Sequence, residues 1–178
     1  LVPHKGIGIL IRSLTYTQRG KLLIVGDGPY KNWLVNLVKK LDLNDRVIFV
    51  GPVDDYWLPS YYSATDVVVL PSTSRLEAFG IVGLEGMATA KPLILSDIPG
   101  VRDVISEKEG YIVEPLDPST IAEALEKIWN APEMAREMGL RGRERVEKLF
   151  SWEKVSKDVE SAVSYTHLRA HETELDLV

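Results

Sequence analysis

The 178-residue sequence contains no cysteine. That excludes disulfides and thiolate chemistry, and it permits a reducing, cytoplasmic compartment. Long hydrophobic runs are also missing, and no segment approaches the ~18 apolar residues of a membrane span. A surplus of positive charge is missing too. The net charge is -5, which argues against nucleic acid as the main partner, because phosphate backbones are held by clustered lysine and arginine. An anionic small ligand stays open, since it needs only a few local donors. Internal repeats and low-complexity segments are absent. No signal peptide is visible and Leu1 is not a start residue, so the chain is expected to be cut from something longer.

What is present is enough for one folded domain. Hydrophobic residues make up 45% and charged residues 26%, a balance that supports a real core and speaks against disorder. Apolar runs rich in β-branched residues at 22–25, 47–50, 67–70, 93–95 and 111–113 read as strands. They lack polar alternation, as expected where helices cover both faces of a parallel sheet. Amphipathic segments lie between them. Ile7, Leu10, Ile11 and Leu14 form one stripe, and Leu34, Leu37, Val38 and Leu41 form another. Helices are also expected over 80–90, 119–129, 133–149 and 152–163. Asp117-Pro118-Ser119 and Ala131-Pro132 have the form of helix starts. Strands alternating with helices imply an α/β fold, a Rossmann-like doubly wound parallel sheet with helices on both faces. The chain opens inside what should be a strand-to-helix loop. Residues 164–178 are polar, lack an apolar stripe and read as a tail foreign to the domain.

The run from Val67 to Ala88 is the most informative. It reads as strand, loop and helix, and ligands of open α/β sheets bind at the carboxyl ends of the strands. A helix start over Phe79, Gly80, Ile81 and Val82 offers unpaired amides and a positive dipole end, which suit a phosphate. Glu77 precedes that helix and Glu85 lies about two turns inside it. A carboxylate has two acceptor oxygens and can hold a vicinal diol. Two carboxylates flanking phosphate-binding amides suit a nucleotide sugar, one acid for each sugar ring.

The Glu77…Glu85 run resembles the Glu-x7-Glu signature of the retaining GT-B glycosyltransferases of group 1. The resemblance extends through Leu1-Val2-Pro3-His4-Lys5-Gly6, through Ile24-Val25-Gly26-Asp27-Gly28-Pro29, and through Val47 to Gly51. It continues through Lys91-Pro92-Leu93 to Val101, Gly142-Arg143 and Phe150-Ser151-Trp152. It covers residues 1–163 and implies the C-terminal, donor-binding domain of such an enzyme. By position, Glu85 would bind the nucleotide ribose and Glu77 would face the donor sugar. The backbone of Phe79 to Val82 would meet the diphosphate. Lys5 would offset the charge that builds on the leaving group, and Gly26 and Gly28 would line the donor site. Gly51, Pro52 and Val53 would line the nucleobase slot. The implied reaction retains anomeric configuration by front-face attack, without the closely spaced carboxylate pair of double-displacement glycosidases. No cofactor or metal is implied; the substrate is a UDP- or GDP-hexose. Acceptor contacts, and any peripheral association with the cytoplasmic face of a membrane, would belong to an N-terminal domain that this sequence lacks. This chain alone is therefore expected to be inactive.

The sequence also departs from the family pattern. An arginine expected just before Leu1 is absent, and so is the strand that would carry it. That strand should be the central one, so its two neighbours should leave a gap or pair abnormally. Gly86 stands where alanine is usual, and Ala90 where glycine is usual.

Blander readings compete at several positions. Gly26-Asp27-Gly28 could suggest a dinucleotide loop, but Lys31 stands where the third glycine belongs, and a tight turn explains the glycines as well. A non-catalytic nucleotide-binding module is the alternative function. Arg141, Arg143 and Arg145 with Glu144 and Glu147 read as a solvated helix face. Asp54-Asp55 and the pair His167 and His171 lack further metal ligands.

Overall fold

Every β-branched run becomes a strand: β1 (Leu22–Val25), β2 (Val47–Gly51), β3 (Val68–Leu70), β4 (Leu93–Ser96) and β5 (Gly110–Val113). The computed structural model describes the backbone of residues 1–175 and the side chains of residues 1–163. The helices are α1 (Ile7–Ser13), α2 (Lys31–Lys40), α3 (Leu58–Ser63), α4 (Ile81–Ala88), α5 (Pro118–Asn130), α6 (Pro132–Leu149) and α7 (Trp152–Leu175). All pairings are parallel, and the connections run through helices on both faces, which is the doubly wound arrangement.

Both faces of β4, the middle strand of the three-stranded part, are buried, which explains its missing polar alternation. Leu93 and Leu95 of β4 pack with Met87 and Val104 on one side. Ile94 between them packs with Leu10, Ile121 and Leu125 on the other. A third apolar cluster joins Ile24 and Val47 to Ile11 of α1 and Leu34, Leu37 and Val38 of α2. The Leu34, Leu37 and Val38 stripe is thus the buried face of α2.

The sheet is divided. β1 pairs with β2, and β3 pairs with β4 and β5, but β1 and β3 do not pair. Between them lies a cleft of about 860 Å³ lined by Leu22, Ile24, Val67 and Val69, with Leu10 and Leu125 beyond. This is the gap expected where the central strand of a doubly wound sheet would run.

Helix ends follow local chemistry. Asp117 caps α5 by accepting from the Ser119 amide at 2.8 Å, and Pro118 occupies the first turn. The Ser119 hydroxyl, and then its amide, hold the Asp117 carboxyl below the ordinary range. The expected 80–90 helix is shorter, ending at Ala88. Ala90 has φ of 56°, the left-handed conformation in which a Cβ is unfavourable. That is the physical reason glycine suits this position. Gly86 has the opposite logic: a Cβ there would come within 2.8 Å of Leu93 Cδ2 and 3.1 Å of Val68 Cβ. Ala90→Gly is expected to stabilise the chain by about 1 kcal/mol, a rise in Tm of about 2–4 °C. A thermal melt showing no rise would contradict the strain assigned to Ala90.

Arg141 and Arg143 do lie on a solvated face of α6, pairing with Glu137 at 3.2 Å and Glu147 at 2.9 Å. Arg145 does not belong with them, because its Nε donates to the Val104 carbonyl at 3.0 Å. α7 also runs on past Val163 to Leu175. The side chains of His167 and His171 lie outside the described residues. Among the described residues, no helix is long and apolar enough to cross a membrane.

Candidate functional site

The loops at the carboxyl ends of β1, β2 and β3 converge at one end of the cleft. Residues Pro3–Lys5 form a 3-10 turn closed by Gly6, whose φ is 68°. A Cβ on Gly6 would stand 1.8 Å from the Pro71 carbonyl oxygen, so only glycine lets this turn lie against the end of β3. The contact is tied by the Thr73 amide, which donates to the His4 carbonyl at 2.8 Å.

This docking brings together residues far apart in sequence. Lys5 Nζ donates to Glu77 Oε2 in an ion pair. The Ser72 hydroxyl donates to the same oxygen at 3.3 Å. Glu77 is buried, at 9% exposure, where a polar group without partners would be costly. The Lys5 side chain keeps 37% exposure, so its ammonium stays within reach of a ligand in the cleft.

α4 begins beside this pair. Gly80, with φ of 68°, is its cap; no side chain caps the end and no acidic residue lies in the first turn. The helix therefore presents the amides of its first turn and the positive end of its dipole without a side-chain cap among the described residues. Phe79 is part-exposed and meets Phe150 edge-to-face at 5.8 Å.

Glu85 lies in the second turn of α4. The Tyr62 hydroxyl donates to its Oε2 at 2.6 Å. Burial first, and then the hydrogen bond to Glu85, push the Tyr62 phenol well above its usual value. A raised phenol keeps its proton where an unfolded tyrosine would lose it. The associated stability is full below the unfolded value near 10 and is lost as pH rises beyond it.

Not all the sequence candidates share one surface. Lys5, Gly26, Pro52, Val53, Val82 and Glu85 line the cleft. Glu77 does not line it and reaches it through Lys5. Phe79, Gly80 and Ile81 do not line it; they form the loop and first turn of α4 ahead of Val82, and Phe79 and Ile81 are exposed. Gly51 ends β2 and accepts from the Gly26 amide at 2.7 Å. Gly28 lies in a tight turn: the Asp27 carboxylate accepts from its amide at 2.7 Å and from Lys31 Nζ at 3.0 Å. Those two bonds, the amide first, hold Asp27 below the usual carboxylate range. Sequence reasoning missed Tyr62 and Ser72. Pro59 in the first turn of α3 was the available signal for the helix that carries Tyr62. Among the described residues, no group of three His, Asp or Glu side chains is placed to hold a metal ion.

The sequence profile of the glycosyl transferases group 1 family matches residues 1–145. The chain is 36% identical over 150 residues to N-acetyl-alpha-D-glucosaminyl L-malate synthase of Bacillus anthracis, covering 84% of this chain and 38% of that protein. It is 31% identical over 163 residues to the GDP-mannose-dependent alpha-(1-6)-phosphatidylinositol monomannoside mannosyltransferase of Mycobacterium tuberculosis CDC 1551, covering 86% and 42%. It superposes on sucrose-phosphate synthase from Thermosynechococcus elongatus with a TM-score of 0.85 at 36% identity, over 96% of this chain and 44% of that one. The chain thus spans about two fifths of the length of these relatives.

Proposed function

The chain belongs to the glycosyl transferases group 1 family, and from that premise we propose that it is the donor-binding domain of a retaining hexosyltransferase. The donor is a nucleotide-diphosphate sugar, UDP- or GDP-linked. One observation carries this reading. Lys5, Val82 and Glu85 line one cleft at the carboxyl ends of parallel strands, and the uncapped start of α4 directly precedes Val82.

Each part has a role set by its chemistry. The α4 amides from Phe79 to Val82 and the Lys5 ammonium take the diphosphate. Their positive character matters most as the carbon–oxygen bond to the leaving group breaks and negative charge builds on it. Glu85 accepts the ribose hydroxyls, and Pro52 and Val53, with Gly51 behind them, flank the base. Gly26 and Gly28 keep the β1 turn close to the site. Glu77 faces the hexose. In this reading the acceptor oxygen attacks the face from which the diphosphate departs, and the leaving phosphate takes the proton. No protein nucleophile, metal or resident cofactor enters. Acceptor recognition, and any peripheral attachment to the cytoplasmic face of a membrane, falls to the rest of the protein. This domain is inactive without it.

A relative that is named as GDP-mannose-dependent supports a nucleotide sugar as donor. The Glu85→Ala variant tests the assignment. Its affinity for UDP or GDP, measured by titration calorimetry, is expected to fall about tenfold or more, because a hydrogen bond to a charged group is lost. Unchanged affinity would remove the ribose role.

A further inference from the structure

We propose that Tyr62 is a positioning residue for Glu85, and that it makes the nucleotide site selective for ribose over deoxyribose. The inference rests on the ribose role assigned to Glu85 above and adds a residue to it. Tyr62 and Glu85 line the same cleft. The phenol donates to Oε2 at 2.6 Å, and among the described residues no group bonds Oε1. A free glutamate side chain has three rotatable torsions and a carboxylate that turns about the last of them. The Tyr62 bond restrains that last torsion on a side chain that lines the cleft, so the carboxylate presents its edge in one orientation. A vicinal diol placed on such an edge is read as a pair of donors. A diol lacking one hydroxyl leaves part of that edge unpaired.

Tyr62 is itself held in place. Its ring packs against the cluster of Val68, Leu70, Met87 and Leu93. Its helix is anchored at the C-terminal end, beside Tyr62, where Lys91 Nζ donates to the Ser63 carbonyl at 2.8 Å. The Thr65 hydroxyl donates to the Tyr62 carbonyl at 2.9 Å. α3 thus delivers one hydroxyl, from a rigid ring, to one oxygen of the carboxylate. Phenylalanine can keep the ring's packing while removing that hydroxyl, so the substitution isolates the bond.

The test compares dissociation constants for UDP and 2′-deoxy-UDP, and for GDP and 2′-deoxy-GDP, by titration calorimetry on the full chain. Wild type, Tyr62→Phe and Glu85→Gln are measured side by side. Wild type is expected to favour the ribonucleotide by about tenfold or more, and Tyr62→Phe to bring that ratio most of the way toward one, as Glu85→Gln does. A purely structural role would lower both affinities equally and keep the ratio, and that outcome overturns the proposal for Tyr62 alone. A ratio kept in Glu85→Gln, or no binding of any of the four by wild type, overturns the ribose site itself and the positioning role with it.

Discussion

Fusing a strand-forming segment of about five apolar residues directly ahead of Leu1 is expected to raise the melting temperature of this chain by about 10 °C or more. β1 and β3 each have one edge without a strand partner, and both edges border the same apolar cleft. The direction is set by Leu1. Its amino group donates to the Asp27 carbonyl and its own carbonyl accepts from the Tyr30 amide at 3.1 Å. It therefore sits past the carboxyl end of β1. A segment that ends there and fills the cleft runs parallel to both neighbours, as every pairing in the sheet does. Ordering such a segment costs about 1–2 kcal/mol per residue. Against this stand two ladders of hydrogen bonds, each bond worth about 1 kcal/mol net. Each aliphatic side chain buried on both faces adds about 1.5–3 kcal/mol, and the cleft walls lose water as well. A net gain of a few kcal/mol converts to the stated rise. A Gly-Ser segment of equal length is the control, since it can reach but cannot pack. Equal melting of the two fusions would show that the cleft does not accept a strand. Amide exchange in Leu22–Val25 and Val68–Leu70 should slow only with the apolar segment, because those edges then gain partners. The open edges also make the unfused chain prone to edge pairing between copies.

The strands were legible as short apolar, β-branched runs, most plainly β4, whose side chains are buried on both faces. Runs such as Leu93-Ile94-Leu95 have no other economical place in a domain of this size. Helix boundaries were legible where a cap or proline set them, as at Asp117 and Pro118. α3 escaped because six residues containing Pro59, Tyr61 and Tyr62 make too short a stripe to show a period. The split sheet was foreseen from the order of motifs, since every strand but the central one had its counterpart. Side-chain pairings across the fold were not legible. Nothing in the spacing of Lys5 and Glu77 says that they meet, because Gly6 and Pro71 bring their loops together through the tertiary fold. Arg145 was misread for the same reason: its neighbours in sequence are solvated, but α6 turns this one side chain onto the Val104 carbonyl. Ala90 lies between the two cases. Its unusual place was visible in sequence, and its cost became visible only in its backbone angle.

Glu77→Ala, in the complete enzyme, is expected to lower kcat about 100-fold while changing the affinity for the nucleoside diphosphate by less than about threefold. Glu77 sits beneath Lys5, and the two share an ion pair. Its negative charge opposes a diphosphate through space, and it also competes with the diphosphate for the lysine. Removing it frees the lysine and takes away a like charge, so nothing in the change should weaken diphosphate binding. Turnover is different. If Glu77 fixes the hexose against the departing phosphate, its loss lets the reacting carbon move out of line, and misplacement of this kind is costly even when binding is intact. Stability is not expected to confuse the result, because Lys5 is more than a third exposed and regains water when its partner goes. Glu77→Gln separates charge from shape. It keeps the volume and can still accept from Ser72, so a partial loss in glutamine and a full loss in alanine would place the effect on both. Equal losses of kcat and affinity in Glu77→Ala would instead make Glu77 a support for Lys5 alone. Unchanged kcat would take it out of the reaction, leaving the diphosphate groups to carry catalysis by themselves.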